Sequence, residues 1–228
     1  MDPSGGKDNM TEIIDSLYIS CMNCQINCKG VWIDLENGIP PRGFYYRNSP
    51  VSILVVSKNP GHPLNGESML YKGKKGKDIF YAYRQFQNDL YRNLNNNKEQ
   101  STRFHKNMYR YLSYFLDIPN DIDEIYKQVA HTDLLKCSTR NEQAKIPEEM
   151  FDKCYKQYLL KEIELLKPRL ILALGREVER FLRKKQFEHN TPIIYIKHPS
   201  YYYKKEDEKV ILKCKKDEIS KILGRKNT

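Results

Sequence analysis

Short β-branched runs alternate with longer stretches of helical period along this chain. Val51-Ser52-Ile53-Leu54-Val55-Val56-Ser57 is a near-continuous apolar run closed by Asn59-Pro60-Gly61, which predicts a buried strand entering a tight loop. Ile79 to Leu94 and Arg103 to Leu116 have helical spacing, the second ending ahead of Pro119. Val129 to Leu135 predicts a second strand. Cys154 to Lys167 sets Leu159, Leu160, Ile163 and Leu166 on one helix face and stops before Pro168. Arg169 to Leu174, ended by Gly175, predicts a third strand; Arg176 to Gln186 predicts a helix, and Pro192 to Lys197 a last strand running into His198-Pro199. Such alternation predicts an α/β fold with a mostly parallel central sheet. Ligands of these sheets sit beyond the carboxyl ends of the strands, which directs attention to Lys58–Gly61, Asp133–Cys137 and His198–Ser200.

Length and composition narrow the class. The 228 residues suit one domain, expected over residues 12–228 behind a polar, disordered tail at residues 1–11. No apolar run is long enough to span a membrane, and the amino terminus lacks the apolar segment of a secretion signal, so a cytoplasmic, monomeric protein without membrane partners is expected. In a reducing compartment the six cysteines are metal ligands or free thiols rather than disulfides. Cys21 and Cys24 form a CxxC pair, and with Cys137 and Cys154 they would supply four thiolates, suited to zinc or to an iron–sulfur cluster. Cys28 is a substitute ligand, and Cys214 lies in a lysine-rich tail. The net charge of +10, with 17 Tyr and 8 Phe, suits a polyanion that offers flat faces to stack on, and nucleic acid is both.

These segments resemble the uracil-DNA glycosylase superfamily, in particular its iron–sulfur branch (families 4 and 5), from about Cys21 to Ser200. The resemblance implies a three-layer α/β/α sandwich and a 4Fe–4S cluster held by Cys21, Cys24, Cys137 (after Lys136) and Cys154, which places iron–sulfur ahead of zinc. It implies DNA as the partner, flipping of the target nucleotide, and hydrolysis of its N-glycosidic bond to leave an abasic site. Ser57-Lys58-Asn59-Pro60-Gly61 departs from the Gly-Glu-Ala-Pro-Gly of that branch and is closer to the Gly-Ile-Asn-Pro-Gly of the thymine/mismatch branch. By that likeness Asn59 positions the attacking water. Leu70-Tyr71-Lys72-Gly73-Lys74-Lys75-Gly76 resembles the Pro-Phe-Val-Gly-Lys-Ala-Gly loop, which makes Tyr71 the platform under the extruded base and Lys72, Lys74 and Lys75 phosphate contacts. His198-Pro199-Ser200 matches His-Pro-Ser/Ala: His198 would donate to the base O2 as negative charge builds there, Ser200 would grip the backbone, and Tyr201 and its neighbours would fill the vacated stack.

Two departures bear on substrate. Thr132-Asp133-Leu134-Leu135-Lys136-Cys137 stands where the family has Thr-Asn-Val-Val-Lys-Cys. An Asn amide pairs with uracil, whereas an ionised Asp133 only accepts, repelling O4 of uracil and matching the N4 amine of cytosine. Gly61 stands where the uracil-restricted members carry a Tyr against the base 5-position, so that side is open. Excision of a 5-modified cytosine, such as a glucosylated hydroxymethylcytosine of phage DNA, in antiviral defence is the leading expectation. His62, Asn65, Glu67 and Ser68 would then face the substituent. A uracil-DNA glycosylase of base-excision repair and a non-catalytic iron–sulfur DNA-binding protein are the alternatives.

Overall fold

The computed structural model describes residues 5–24, 28–45, 50–63, 65–96, 103–139, 145–201 and 203–225. In chain order these form α1 (Gly5–Met22), β1 (Val31–Trp32), β2 (Phe44–Tyr45), β3 (Ile53–Ser57), α2 (Asn65–Tyr71), α3 (Lys77–Asn96), α4 (Arg103–Leu116), α5 (Ile122–Tyr126), β4 (Val129–Asp133) and β5 (Ser138–Thr139). There follow α6 (Glu148–Cys154), a π-helical turn (Tyr155–Leu159), α7 (Leu160–Leu166), β6 (Leu170–Leu174), α8 (Arg176–Lys184), α9 (Gln186–His189), β7 (Ile193–Ile196) and α10 (Lys205–Leu223). The chain folds as two compact units, residues 1–44, 58–89 and 132–165 in the first and residues 45–57, 90–131 and 166–228 in the second.

The second unit carries most of the central sheet, whose strand order is β2-β4-β3-β6-β7. β3 runs parallel to β6 with Ile53 opposite Leu170, and β6 parallel to β7 with Ile171 opposite Ile193. Every residue of β3, β4 and β6 is buried. That is why β3 and β6 read as near-continuous apolar runs: both faces of a parallel sheet are covered. Ile53, Val55, Leu170, Leu172 and Leu174 pack with Leu112 and Phe115 of α4, Ile125 of α5, and Leu212, Ile219 and Leu223 of α10. α8 lies against β6 and β7 and buries Val178, Phe181 and Leu182. Asp121 caps α5 by accepting from the Glu124 N–H at 3.0 Å.

The first unit is built on aromatics rather than a sheet. Tyr18 of α1 stacks on Phe44 with ring centroids 3.5 Å apart, and Phe80 and Tyr83 of α3 close around Phe44. β1 and β5 form a separate antiparallel pair, with Val31 opposite Thr139.

Three expectations are corrected here. The amino-terminal tail is helical from Gly5 onward, and only its first four residues lie outside the described part. Residues after Lys204, read as a basic tail, form α10: its many charges dilute the apolar positions Leu212, Ile219 and Leu223, whose spacing nevertheless keeps them on one face. Cys154 closes α6 and precedes the π turn instead of opening a helix.

Candidate active site

The expected catalytic and base-reading residues fall into both units, and each unit fixes its own set. In the first, Asn59 lies on the loop that leaves β3. Its Nδ2 donates to the Pro60 carbonyl at 2.9 Å, which turns Oδ1, the accepting end of the amide, to the opposite side. The loop is anchored on both flanks: the Leu135 N–H donates to the Lys58 carbonyl at 2.9 Å, and Ser138 Oγ donates to the Gly61 carbonyl at 3.0 Å. Arg42 also donates to the Gly61 carbonyl. Gly61 is exposed, and a Cβ added to it would meet nothing within 4 Å. Packing does not require glycine there; its effect is to leave room.

Asp133 ends β4 and is 2% exposed, so its carboxylate is inside the protein rather than in solvent. Its N–H donates to the Gly43 carbonyl at 2.8 Å. Gly43 has φ +101°, and a Cβ on it would come within 2.5 Å of Asp133 Oδ2. The same Gly43 carbonyl accepts from Thr132 Oγ1 at 3.1 Å, and Thr132 Oγ1 lies 2.8 Å from Glu162 Oε1. Glu162 Oε2 takes the ammonium of Lys136 at 2.7 Å, each side chain 1% exposed. An ion pair this dry holds only because both charges are matched by further polar partners.

Tyr71 and Glu67 are placed differently from the expectation. Tyr71 is 1% exposed, its hydroxyl donates to Glu67 Oε1 at 3.0 Å, and its ring lies 6.3 Å from Tyr83. A stacking platform needs an uncovered face, and this ring is a core residue. Glu67 pairs with Arg42 at 3.0 Å inside the protein, which removes it from the residues facing a base substituent. His62 is exposed, with its ring 5.2 Å from Trp32; the Asn65 side chain lies outside the described part. Lys72, Lys74 and Lys75 are all exposed, and Lys74 Nζ also bonds the Leu70 carbonyl near the end of α2.

Cys21, Cys24, Cys28, Cys137 and Cys154 all belong to the first unit, and none is in a disulfide. Burial pushes the thiols of Cys21, Cys137 and Cys154 up, and the cysteines raise one another further. Cys28, also raised by burial, senses Cys154 and Cys24. The Lys136 N–H bonds Cys154, and the Lys136 charge favours the thiolates of Cys21 and Cys154. Tyr158, on the π turn, carries its phenol into the same neighbourhood: burial and then Cys21 and Cys24 raise it. Among the described residues no three of His, Cys, Asp or Glu are disposed to hold a single metal ion.

In the second unit His198 follows β7. Its Nδ1 accepts the Ser200 N–H at 3.3 Å, so the proton of the neutral ring sits on Nε2, leaving a donor at that end. The loop is pinned through Asn107 Nδ2 to the Pro199 carbonyl at 2.7 Å, through the Tyr201 N–H to the His198 carbonyl at 2.9 Å, and through the Lys197 N–H to Tyr203 Oη at 3.0 Å. Phe104 stands 5.2 Å from the His198 ring, and Tyr201 is 64% exposed. Ser57 Oγ at the end of β3 and His131 Nε2 in the middle of β4 are 2.7 Å apart, both buried.

This order of motifs has a counterpart among known proteins: the model of the Uracil DNA glycosylase superfamily matches residues 44–219. The chain belongs to that superfamily. A type-4 uracil-DNA glycosylase of Sulfurisphaera tokodaii is 22% identical over 201 residues, 88% of this chain and 70% of the relative. Membership makes the chain a DNA glycosylase, a hydrolase whose substrate is DNA, on the α/β sandwich of the superfamily. No helix among the described residues is long and apolar enough to cross a membrane. Sequence reading missed Arg42, Gly43, Glu162 and the Ser57–His131 pair. Pro40-Pro41-Arg42-Gly43 carries only loop punctuation, and one Arg among 39 Lys and Arg has no mark of its own.

Proposed function

We propose that this glycosylase excises a cytosine carrying a bulky 5-substituent, as in modified phage DNA, and so serves in antiviral defence. The observation that carries the reading is the pairing of a buried Asp133, an acceptor where uracil recognition needs a donor, with an open Gly61. Asp133 accepts the N4 amine. Lys72, Lys74, Lys75 and Ser200 hold the backbone, and Tyr201 fills the gap left by the flipped nucleotide.

In the reaction the bond between C1′ and the base nitrogen breaks with its electron pair leaving on the base. His198 Nε2–H donates to O2, where the charge accumulates. Asn59 Oδ1 holds a water that attacks C1′, and the water's proton ends on solvent or on the departing base. An amide suffices for this because a largely formed sugar cation does not need a strong base.

Cys21, Cys24, Cys137 and Cys154 would hold a 4Fe–4S cluster. The donor set fits: all thiol, three of the four buried, and mutually interacting, with a backbone N–H and a phenol directed at it. A cluster spaces its ligands around a body of eight atoms, so its thiols need not converge on one point. Bound there it would supply no step of the hydrolysis and would tie three chain segments together.

The test is excision from duplexes carrying cytosine, uracil, 5-hydroxymethylcytosine or its glucosylated form. Abasic product from the substituted cytosines is expected. Product from uracil alone would replace the reading with uracil repair.

A further inference from the structure

We infer that Arg42 and Gly43 are the positioning element that sets base selectivity, holding the Gly61 and Asp133 segments in one frame. The inference rests on the base-recognition reading above. Gly61 and Asp133 are far apart in sequence; the Leu135 N–H to Lys58 carbonyl bond joins their segments at the backbone but contacts neither residue. The dipeptide reaches both. From Arg42, 2% exposed, the guanidinium donates to the Gly61 carbonyl, to Ser138 Oγ at 2.8 Å and to Glu67 Oε1 at 3.0 Å, while its backbone N–H donates to the Lys136 carbonyl at 2.6 Å. Ser138 Oγ passes its own hydrogen to the Gly61 carbonyl, so that oxygen has two donors.

On the other side, the Gly43 carbonyl takes the Asp133 N–H and the Thr132 hydroxyl, and its N–H donates to Tyr83 Oη at 3.2 Å. The contact to Asp133 requires the absence of a side chain: at φ +101° a Cβ is strained, and it would overlap the carboxylate. A planar, five-donor guanidinium serves three acceptors at fixed angles in a way an ammonium cannot. Arg42 therefore acts through the loop it holds, and touches no base itself.

The experiment compares wild type with Arg42→Lys and Gly43→Ala. Its first arm measures kcat/KM on duplexes with substituted cytosine, plain cytosine and uracil, together with affinity for an abasic duplex. The ratio of substituted cytosine to the other bases is expected to fall by about ten- to a hundredfold in both variants, with abasic-DNA affinity unchanged. An equal loss on every base would assign the dipeptide a purely structural role and overturn the inference. The second arm follows amide hydrogen exchange and needs no substrate. Arg42→Lys is expected to speed exchange in the segments around Gly61 and around Asp133 to Ser138 together, and by more than in the strands of the central sheet. Acceleration in only one segment, or in neither, would sink the inference even if the wild type excised no modified cytosine, which by itself would refute only the substrate assignment.

Discussion

The two units obtain their order from opposite chemistry. In the second, β3, β6 and β7 are covered by α4, α5, α8 and α10 through aliphatic and aromatic contacts that are individually weak and mutually replaceable. In the first, the parts next to the reading positions are held by charged and polar groups taken fully out of water: Lys136 with Glu162 and Thr132, and Arg42 with Glu67, Ser138 and Gly61. An apolar core tolerates a change of shape. A dry polar network tolerates almost none, because a missing partner strands a charge. The region proposed to discriminate bases is built from the less forgiving material.

The largest effect that would sharpen the contrast is at Lys136. Lys136→Met leaves Glu162 buried and unpaired and is expected to cost about 3–5 kcal/mol in urea unfolding, with much of the loss recovered in Lys136→Met/Glu162→Leu. Leu112→Met in the apolar core is expected to cost less than about 1.5 kcal/mol in the same assay. Equal costs for the two single changes would break the comparison. Next comes the chemistry: Asn59→Ala is expected to lower kcat at least about 100-fold with abasic-DNA affinity retained, read by single-turnover excision. Near-normal turnover would remove Asn59 from the role of holding water. Gly61→Tyr should fold normally, since the position is open, and lower excision of a 5-substituted cytosine about tenfold or more relative to the unsubstituted base.

A titration tests the apolar unit. Burial lowers the His105 pKa from 6.5 to about 4. Between those values the unfolded chain binds a proton that the folded side chain refuses, so the contribution is intact above pH 6.5 and is lost as the pH falls toward 4. The slope is at most about 1.4 kcal/mol per pH unit. His105→Gln should flatten the difference between stabilities measured at pH 7 and pH 5; an unchanged difference would rule the histidine out.

The same contrast explains what the sequence disclosed. Apolar runs and helical period are properties of neighbouring residues, so β3, β4, β6, β7 and α4 could be read with errors of a residue or two at their ends. The motifs at Asn59 and His198 could be placed because each follows a strand, and the one at Asp133 because it ends a strand. Arg42 was not, since its partners lie in α2, β5 and the Gly61 loop, and only folding brings them within bonding distance. Tyr71 misled for a related reason. Its place in a loop-like motif suggested an open ring, while Glu67 one helical turn earlier captures its hydroxyl inside.

The π turn between α6 and α7 has a consequence of its own. A π turn holds one residue more than the regular helix would, and each α-helical residue advances the side-chain direction by about 100°. Removing a single residue between Tyr155 and Leu159 would restore a continuous α-helix and rotate everything before it, Cys154 included, against everything after it, Glu162 included. That spare residue works as a phase adjuster: it lets one rod present a sulfur and a carboxylate in directions that regular winding would not supply.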